Sequence, residues 1–326
     1  MKLAPSSPYF HNKNSVRRVM FSVAAALIPA ILVHIYFFGV AILIQIALAT
    51  ATAIITEALF LKIRGKPIFI FISDGSVVLT ALLLALALPP LAPWWLIVVC
   101  TFFAVFIGKH IYGGLGQNPF NPAMLGFAVA IVSWPSLMLL WQENVPFSTQ
   151  ITAIFGSSAD ALTAATPLDH FKTAQKSTEH FQAVNFTTWG AMAWLNVAYL
   201  IGGLFLCLMR RVPWRVPLAF LSGLTFIVGI FWLVDSAFYA NPFFHWFSGG
   251  AMLGAFFIAT DPVTGCATKQ GQIVFGLGAG ILCAFIRLFG AYPDGIAFSI
   301  LLMNLCAPLI EKITTPIPFG LKENQK

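Results

Sequence analysis

Ten apolar runs, near residues 21–38, 40–61, 76–89, 94–112, 122–141, 188–209, 215–234, 245–260, 272–290 and 295–313, occupy most of this 326-residue chain. A helix that crosses a bilayer needs roughly 20 such residues, and hydrocarbon leaves every backbone amide to find a partner within the chain. The expected fold is therefore an all-α polytopic membrane protein of about ten transmembrane helices. Only 9% of the residues are charged, against roughly a quarter in a soluble domain. With 59% hydrophobic residues the chain is also no candidate for disorder.

The formal charge of +7 raises the question of nucleic acid. The basic residues, however, sit in short loops between apolar runs, which is how orientation signals look, so the expected partner is the lipid bilayer and not nucleic acid. With the N-terminus placed in the cytoplasm, all but Lys172, Lys176 and Arg287 of the 18 Lys and Arg fall on the cytoplasmic side, as the positive-inside rule requires. Both termini are then cytoplasmic. The five cysteines form no CxxC, which argues against a zinc, iron–sulfur or disulfide framework in this chain. Lys13, Arg17 and Arg18 precede an apolar run longer than a signal peptide, without a small-residue cleavage site, and that run reads as a retained first span.

The single long polar segment, 142–187, falls on the outer face and divides the spans five and five. The expected organisation is a cytoplasmic N-terminus at 1–20, a five-helix repeat at 21–141, a periplasmic loop at 142–187, a second five-helix repeat at 188–313 and a cytoplasmic tail at 314–326. Five is odd, so the second repeat is inverted. Matching landmarks support the division. Ser73-Asp74-Gly75-Ser76 opens a short run ending at Pro89, and Ser248-Gly249-Gly250-Ala251 opens one ending at Pro262. The following spans close on Lys109 and on Arg287. Paired short, Gly/Pro-interrupted segments point to a midplane site; tilted helices with Gly for close packing are the plainer reading.

Within the spans, His34, Glu57, Lys109, His110, His245 and Arg287 are the ionisable candidates. Most stand near span ends, where snorkelling or capping explains them cheaply. Asp74 and Asp261 flank the short runs, where a helix dipole favours them as readily as an ion would. Gly116-Gln117-Asn118-Pro119-Phe120-Asn121-Pro122-Ala123 places two amides at a helix entrance. It suits a planar, heteroatom-rich ligand, or else a proline-bounded turn with Asn121 as the helix N-cap. In the loop, Asp160-Ala161-Leu162-Thr163-Ala164-Ala165-Thr166-Pro167-Leu168 presents Thr166 between small residues and a proline. That hydroxyl can accept a modification or simply cap a helix.

Taken together these motifs resemble the family of RnfD (RsxD), a membrane component of the bacterial Rnf ion-translocating oxidoreductase, and more distantly the NqrB component of the sodium-pumping NADH:quinone oxidoreductase. Thr260-Asp261-Pro262-Val263-Thr264-Gly265 adds to the match. The resemblance implies FMN joined through its phosphate to Thr166 by a dedicated flavin transferase, with Asp160, Thr163 and Ala165 as recognition positions. Ala164 stands where the box often has Gly. Across subfamilies it also implies noncovalent riboflavin at Asn118 and Asn121. Further implications are a bacterial inner-membrane location and, as partners, the A, B, C, E and G components of the Rnf complex. Electrons passing between ferredoxin and NAD would be coupled to Na+ or H+ movement. The chain has neither a nucleotide-phosphate loop nor an iron–sulfur ligand set, so NAD and ferredoxin would meet other subunits, no residue here is catalytic and no metal is bound. The contrasting reading is a secondary transporter or channel, since five-plus-five inverted repeats are common there; a solute channel has no need of the Thr166 box.

Overall fold

The computed structural model describes residues 16–156, 166–177, 190–292 and 294–316. Every regular element among them is helical. In the first half, α1 (Val16–Ala26) and α2 (Ile28–Phe38) form one span interrupted at Leu27, because Pro29 at the start of α2 has no amide hydrogen to continue the ladder. It is followed by α3 (Ala41–Ile63), the one-turn α4 (Ile68–Ile72), α5 (Ser76–Ala87), α6 (Trp94–Val105) with a π-helical turn at Phe106–His110, and α7 (Pro122–Ser133). Two short helices, α8 (Phe147–Phe155) and α9 (Pro167–Ser177), lie in the polar segment.

The second half runs α10 (Ala191–Leu208), α11 (Arg215–Val234), the one-turn α12 (Pro242–Trp246), α13 (Ala251–Leu253) with a π-helical turn at Gly254–Ile258, α14 (Lys269–Phe289) and α15 (Ile296–Thr314). Among the described residues, six segments are long and apolar enough to cross a membrane, and 76–87, 94–110 and 122–133 are shorter apolar helices. The chain is a polytopic membrane protein.

Two spans are shorter than their apolar runs predict. The fifth, expected over 122–141, stops at Ser133, since the residue before Pro135 is driven out of the helical region and Trp134 sits at φ −138°, ψ 61°. The eighth, expected over 245–260, breaks at Ser248-Gly249-Gly250, and its helix begins only at Ala251. In both halves a glycine in the left-handed region turns the chain into the short helix, Gly75 at φ +77° and Gly249 at φ +59°. At ~1.5 Å per residue the 12 residues of α5 span about 18 Å, well under the ~30 Å of a hydrocarbon core.

The halves also pack alike. α3 lies against α5 and α6 as α11 lies against the turn after α13 and α14, while α6 meets α7 as α14 meets α15. Across the middle, like meets like: α2 packs on α10, and α7 on α15. Loops therefore alternate between a basic end, carrying Lys62, Arg64, Lys66, Arg210, Arg211 and Arg215, and a far end, carrying α8 and α9.

Candidate functional site: two cavities back to back

Among the described residues, two cavities lie between the halves. The far-end cavity holds about 410 Å³ and is lined by Phe127, Ile131, Trp141, Leu195 and Tyr199, with Thr166, Asp169 and Asp294 at its polar edge. The basic-end cavity holds about 710 Å³ and is lined by Lys109, Asn118, Asn121 and Asp261 among apolar residues of α1, α5 and the turn after α13. Both volumes are in the range of small-molecule sites. The wall between them is thin. Consecutive residues face opposite ways: Ala123 lines the basic-end cavity and Met124 the far-end one, Phe257 the basic-end cavity and Ile258 the far-end one. Tyr199, on the far side, meets Phe257, on the basic side, edge to face with ring centroids 6.1 Å apart.

Each short helix begins where a buried cation from the next span holds it. Lys109 donates to Glu57 Oε1 at 2.8 Å and to Ser76 Oγ at 3.0 Å, and His110 Nε2 lies 2.9 Å from Glu57 Oε2. The π-helical turn in α6 sets Lys109 and His110 side by side on this carboxylate. At the far end Arg287, with no exposed surface, donates to His245 O at 2.6 Å, to Ser248 O at 3.1 Å and to Asp294 Oδ1 from two nitrogens, while Asp294 Oδ2 accepts from Gly250 N at 2.8 Å. Snorkelling is thus the wrong account of these residues. Lys109 (4% exposed), Glu57 (1%) and Arg287 (0%) point inward and are paired there, because a charge in this setting needs a partner more than it needs distance from lipid. His34 and His245 are buried as well.

Asn121 caps α7, its Oδ1 accepting from Met124 N at 3.2 Å, so the capping reading holds. The residue does more. Its own N–H donates to Asn304 Oδ1 at 3.1 Å, and its Nδ2 donates to Asp261 Oδ2 at 3.3 Å. Asn304 in turn donates to Thr264 O. The cluster ties α7, α15 and the loop after α13 at the cavity. Burial raises the Asp261 carboxyl above the ordinary carboxylate range, against the opposing pull of hydrogen bonds from Val263 N–H, Thr264 Oγ1 and Asn121 Nδ2. Asn118 is 4% exposed; its Nδ2 donates to Phe120 O, while its Oδ1 is buried without a partner. A buried acceptor left open beside a cavity fits a ligand that brings an N–H or O–H donor, as a flavin's imide and ribityl hydroxyls do.

Thr166 stands at the edge of the other cavity, just before α9. Its Oγ1 accepts from Asp169 N at 3.2 Å and donates to Asp169 Oδ2 at 2.5 Å, and its own N–H donates to the same Oδ2 at 3.0 Å. This reciprocal cap is built by Thr-x-x-Asp. Below it Leu168 and Phe171 are buried, Phe171 edge-on to His245 at 5.4 Å, and Lys172 Nζ donates to Gly290 O at 2.8 Å. A half-buried hydroxyl at the mouth of an apolar cavity fits a tethered ring turned inward. Asp160, Thr163 and Ala165 lie outside the described residues. Sequence alone brings Thr166 and the two asparagines forward; it misses Asp169, Asn304, Tyr199 and the pairing of Lys109 with Glu57. The capping-box spacing of Thr166 and Asp169 is the available signal for the first.

A family model described as the NQR2, RnfD, RnfE family matches residues 3–320. Among curated proteins, the chain is similar to the D component of the ion-translocating oxidoreductase complex of Yersinia pseudotuberculosis serotype I (strain IP32953), at 42% identity over 98% of this chain and 99% of that protein. It is likewise similar to the proteins of the same description in Pectobacterium carotovorum subsp. carotovorum (strain PC1), 42% identical over 97% of each chain, and Aliivibrio salmonicida (strain LFI1238), 42% identical over 98% of each.

Proposed function

We propose, from the premise that the chain belongs to the NQR2, RnfD, RnfE family, that it is a membrane subunit of an ion-translocating oxidoreductase complex and carries that complex's electrons between two flavins. FMN is esterified to Thr166 at the far-end cavity, and riboflavin is held without a covalent bond by Asn118 and Asn121 at the basic-end cavity. The far end is periplasmic, the basic end and both termini are cytoplasmic, and the membrane is the bacterial inner membrane. The other Rnf-type subunits and a flavin transferase are its partners, and electron passage is coupled to Na+ or H+ movement.

The observation that carries this reading is the pair of cavities set back to back. Bound flavin supplies one- and two-electron redox chemistry; the chain supplies place and insulation. Thr166 fixes one end of the far-side ligand, and the apolar lining from Phe127 to Leu195 keeps water off it. Asn118 Oδ1 and the Asn121–Asp261 pair orient the other ligand. The Tyr199–Phe257 contact is a packed route from one cavity to the other and separates them. A solute carrier of this architecture would need one midplane site open in turn to each side; two cavities parted by packed rings favour a relay.

Chain produced together with a flavin transferase, denatured and run on a gel, will show a fluorescent band that Thr166→Ala abolishes, and mass spectrometry will place an FMN phosphoester on that threonine. A band that survives the substitution removes the linkage. Replacing Asn118 and Asn121 with Leu will lower the riboflavin extracted from native protein at least several-fold without dimming the band; unchanged riboflavin retires the second site.

A further inference from the structure

In this structure the Thr166 hydroxyl is not free. Its hydrogen lies on Asp169 Oδ2, with 2.5 Å between the oxygens, while the Thr166 N–H reaches the same oxygen at 3.0 Å. The carboxylate is held in place from several sides. It belongs to the first turn of α9, and α9 is docked on the membrane body by Leu168, Phe171 and the Lys172 contact with the end of α14. Thr166 and Asp169 both face the far-end cavity, so the hydroxyl and its acceptor are presented together at one rim.

We propose that Asp169 is the general base for attachment of the flavin, supplied by the acceptor chain itself. This rests on the reading that Thr166 is the flavin-bearing residue. An alcohol is a weak nucleophile until a positioned base takes its proton, and a base must lie within hydrogen-bond reach of that proton, as Asp169 does. The donor is a flavin nucleotide activated as a phosphoanhydride, such as a flavin adenine dinucleotide delivered by the transferase. Thr166 Oγ1 attacks the flavin-side phosphorus. The Oγ1–P bond forms as the phosphoanhydride P–O bond breaks, AMP leaves, and the proton passes from Oγ1 to Asp169 Oδ2. No oxidation or reduction occurs.

The same geometry makes a statement about the product. Once esterified, Oγ1 has no hydrogen to donate, and the new phosphodiester anion stands against the Asp169 carboxylate unless that carboxylate is protonated or turns away. The cavity beyond that rim is lined by Phe127, Ile131, Trp141 and Leu195, so it offers an apolar place to the ring and none to the phosphate.

The test is the rate at which purified transferase labels the full chain in detergent, read as in-gel fluorescence, for wild type, Asp169→Asn, Asp169→Glu and Phe171→Ala. Asparagine keeps an acceptor for the Thr166 N–H but cannot take a proton. Asp169→Asn is expected to lower kcat for labelling by roughly 100-fold or more, the usual range for losing a general base, with KM for the chain and the melting temperature unchanged. Asp169→Glu restores part of the rate. Phe171→Ala, which loosens the docking of α9 without touching the carboxylate, raises KM and spares kcat. Wild-type kcat in Asp169→Asn overturns the proposal. So does a loss in Asp169→Asn that is matched by Phe171→Ala, which would make the carboxylate a helix cap only. A wild-type chain that never labels removes the flavin reading of Thr166, and this inference with it.

Discussion

Lys109 shows how a single residue can be legible in kind and illegible in role. A lysine at the end of an apolar run, beside a pair of glycines, reads in sequence as an interfacial anchor. Its partner Glu57 is 52 residues away on another helix, and no local pattern links them. Burial of the pair makes its balance sensitive. Lys109→Met leaves Glu57 facing only His110, and removing one partner of a buried pair costs about 3–5 kcal/mol. The melting temperature of detergent-solubilised protein will fall accordingly, whereas the double change Glu57→Leu with Lys109→Met will recover most of the loss. Equal loss in the single and double variants would show that the ion pair is not what holds this corner. Asn121 was legible because capping is local: the proline after it and the amide three residues on are both read directly from the chain.

At the scale of the element, prolines and glycines decided what could be read. The short third and eighth spans follow from Gly75, Gly249 and the prolines beyond them. The early end of α7 follows from Pro135, a signal outweighed by the apolar run that continues past it. The close packing of α11 on α14 is carried by Gly276 and Gly280, four apart, a spacing that lets backbones approach. A Cβ at Gly280 would meet the carbonyl oxygen of Phe220 and, at 2.8 Å, the amide nitrogen of Leu224. Gly280→Leu must therefore push the helices apart. Overpacking of this kind costs about 1–3 kcal/mol, visible as a lower melting temperature. Leu substitution at Phe289, on the exposed side of the same helix, will leave it within about 0.5 kcal/mol of wild type. Polar elements behaved otherwise. Nothing in the composition of 142–187 announces that α9 docks through Phe171, because that contact depends on Phe244 and His245 far along the chain.

At the scale of the whole molecule the two halves pack alike and meet at the centre through α2 on α10 and α7 on α15. The landmarks matched in the sequence fall at corresponding places in that packing: Gly75 and Gly249 each turn the chain into a short helix, and Lys109 and Arg287 each hold one. The cavities were not legible in the sequence, since each is enclosed by residues from both halves, and a cavity is a property of how the halves meet. The two ends differ in charge, and the basic loops at Lys62, Arg64, Lys66, Arg210, Arg211 and Arg215 carry much of that difference. Exchanging those six for Gln leaves nine Lys and Arg at the same end against three at the other, so the helices should stay intact while the orientation bias weakens, giving a minority of molecules in which a tag at the C-terminus is digested by external protease. Uniform protection would mean that direction is set elsewhere. Because each chamber draws its walls from both halves, whatever loosens the α2–α10 or α7–α15 seam will disturb the two chambers together, and neither can be reshaped without moving the other's wall.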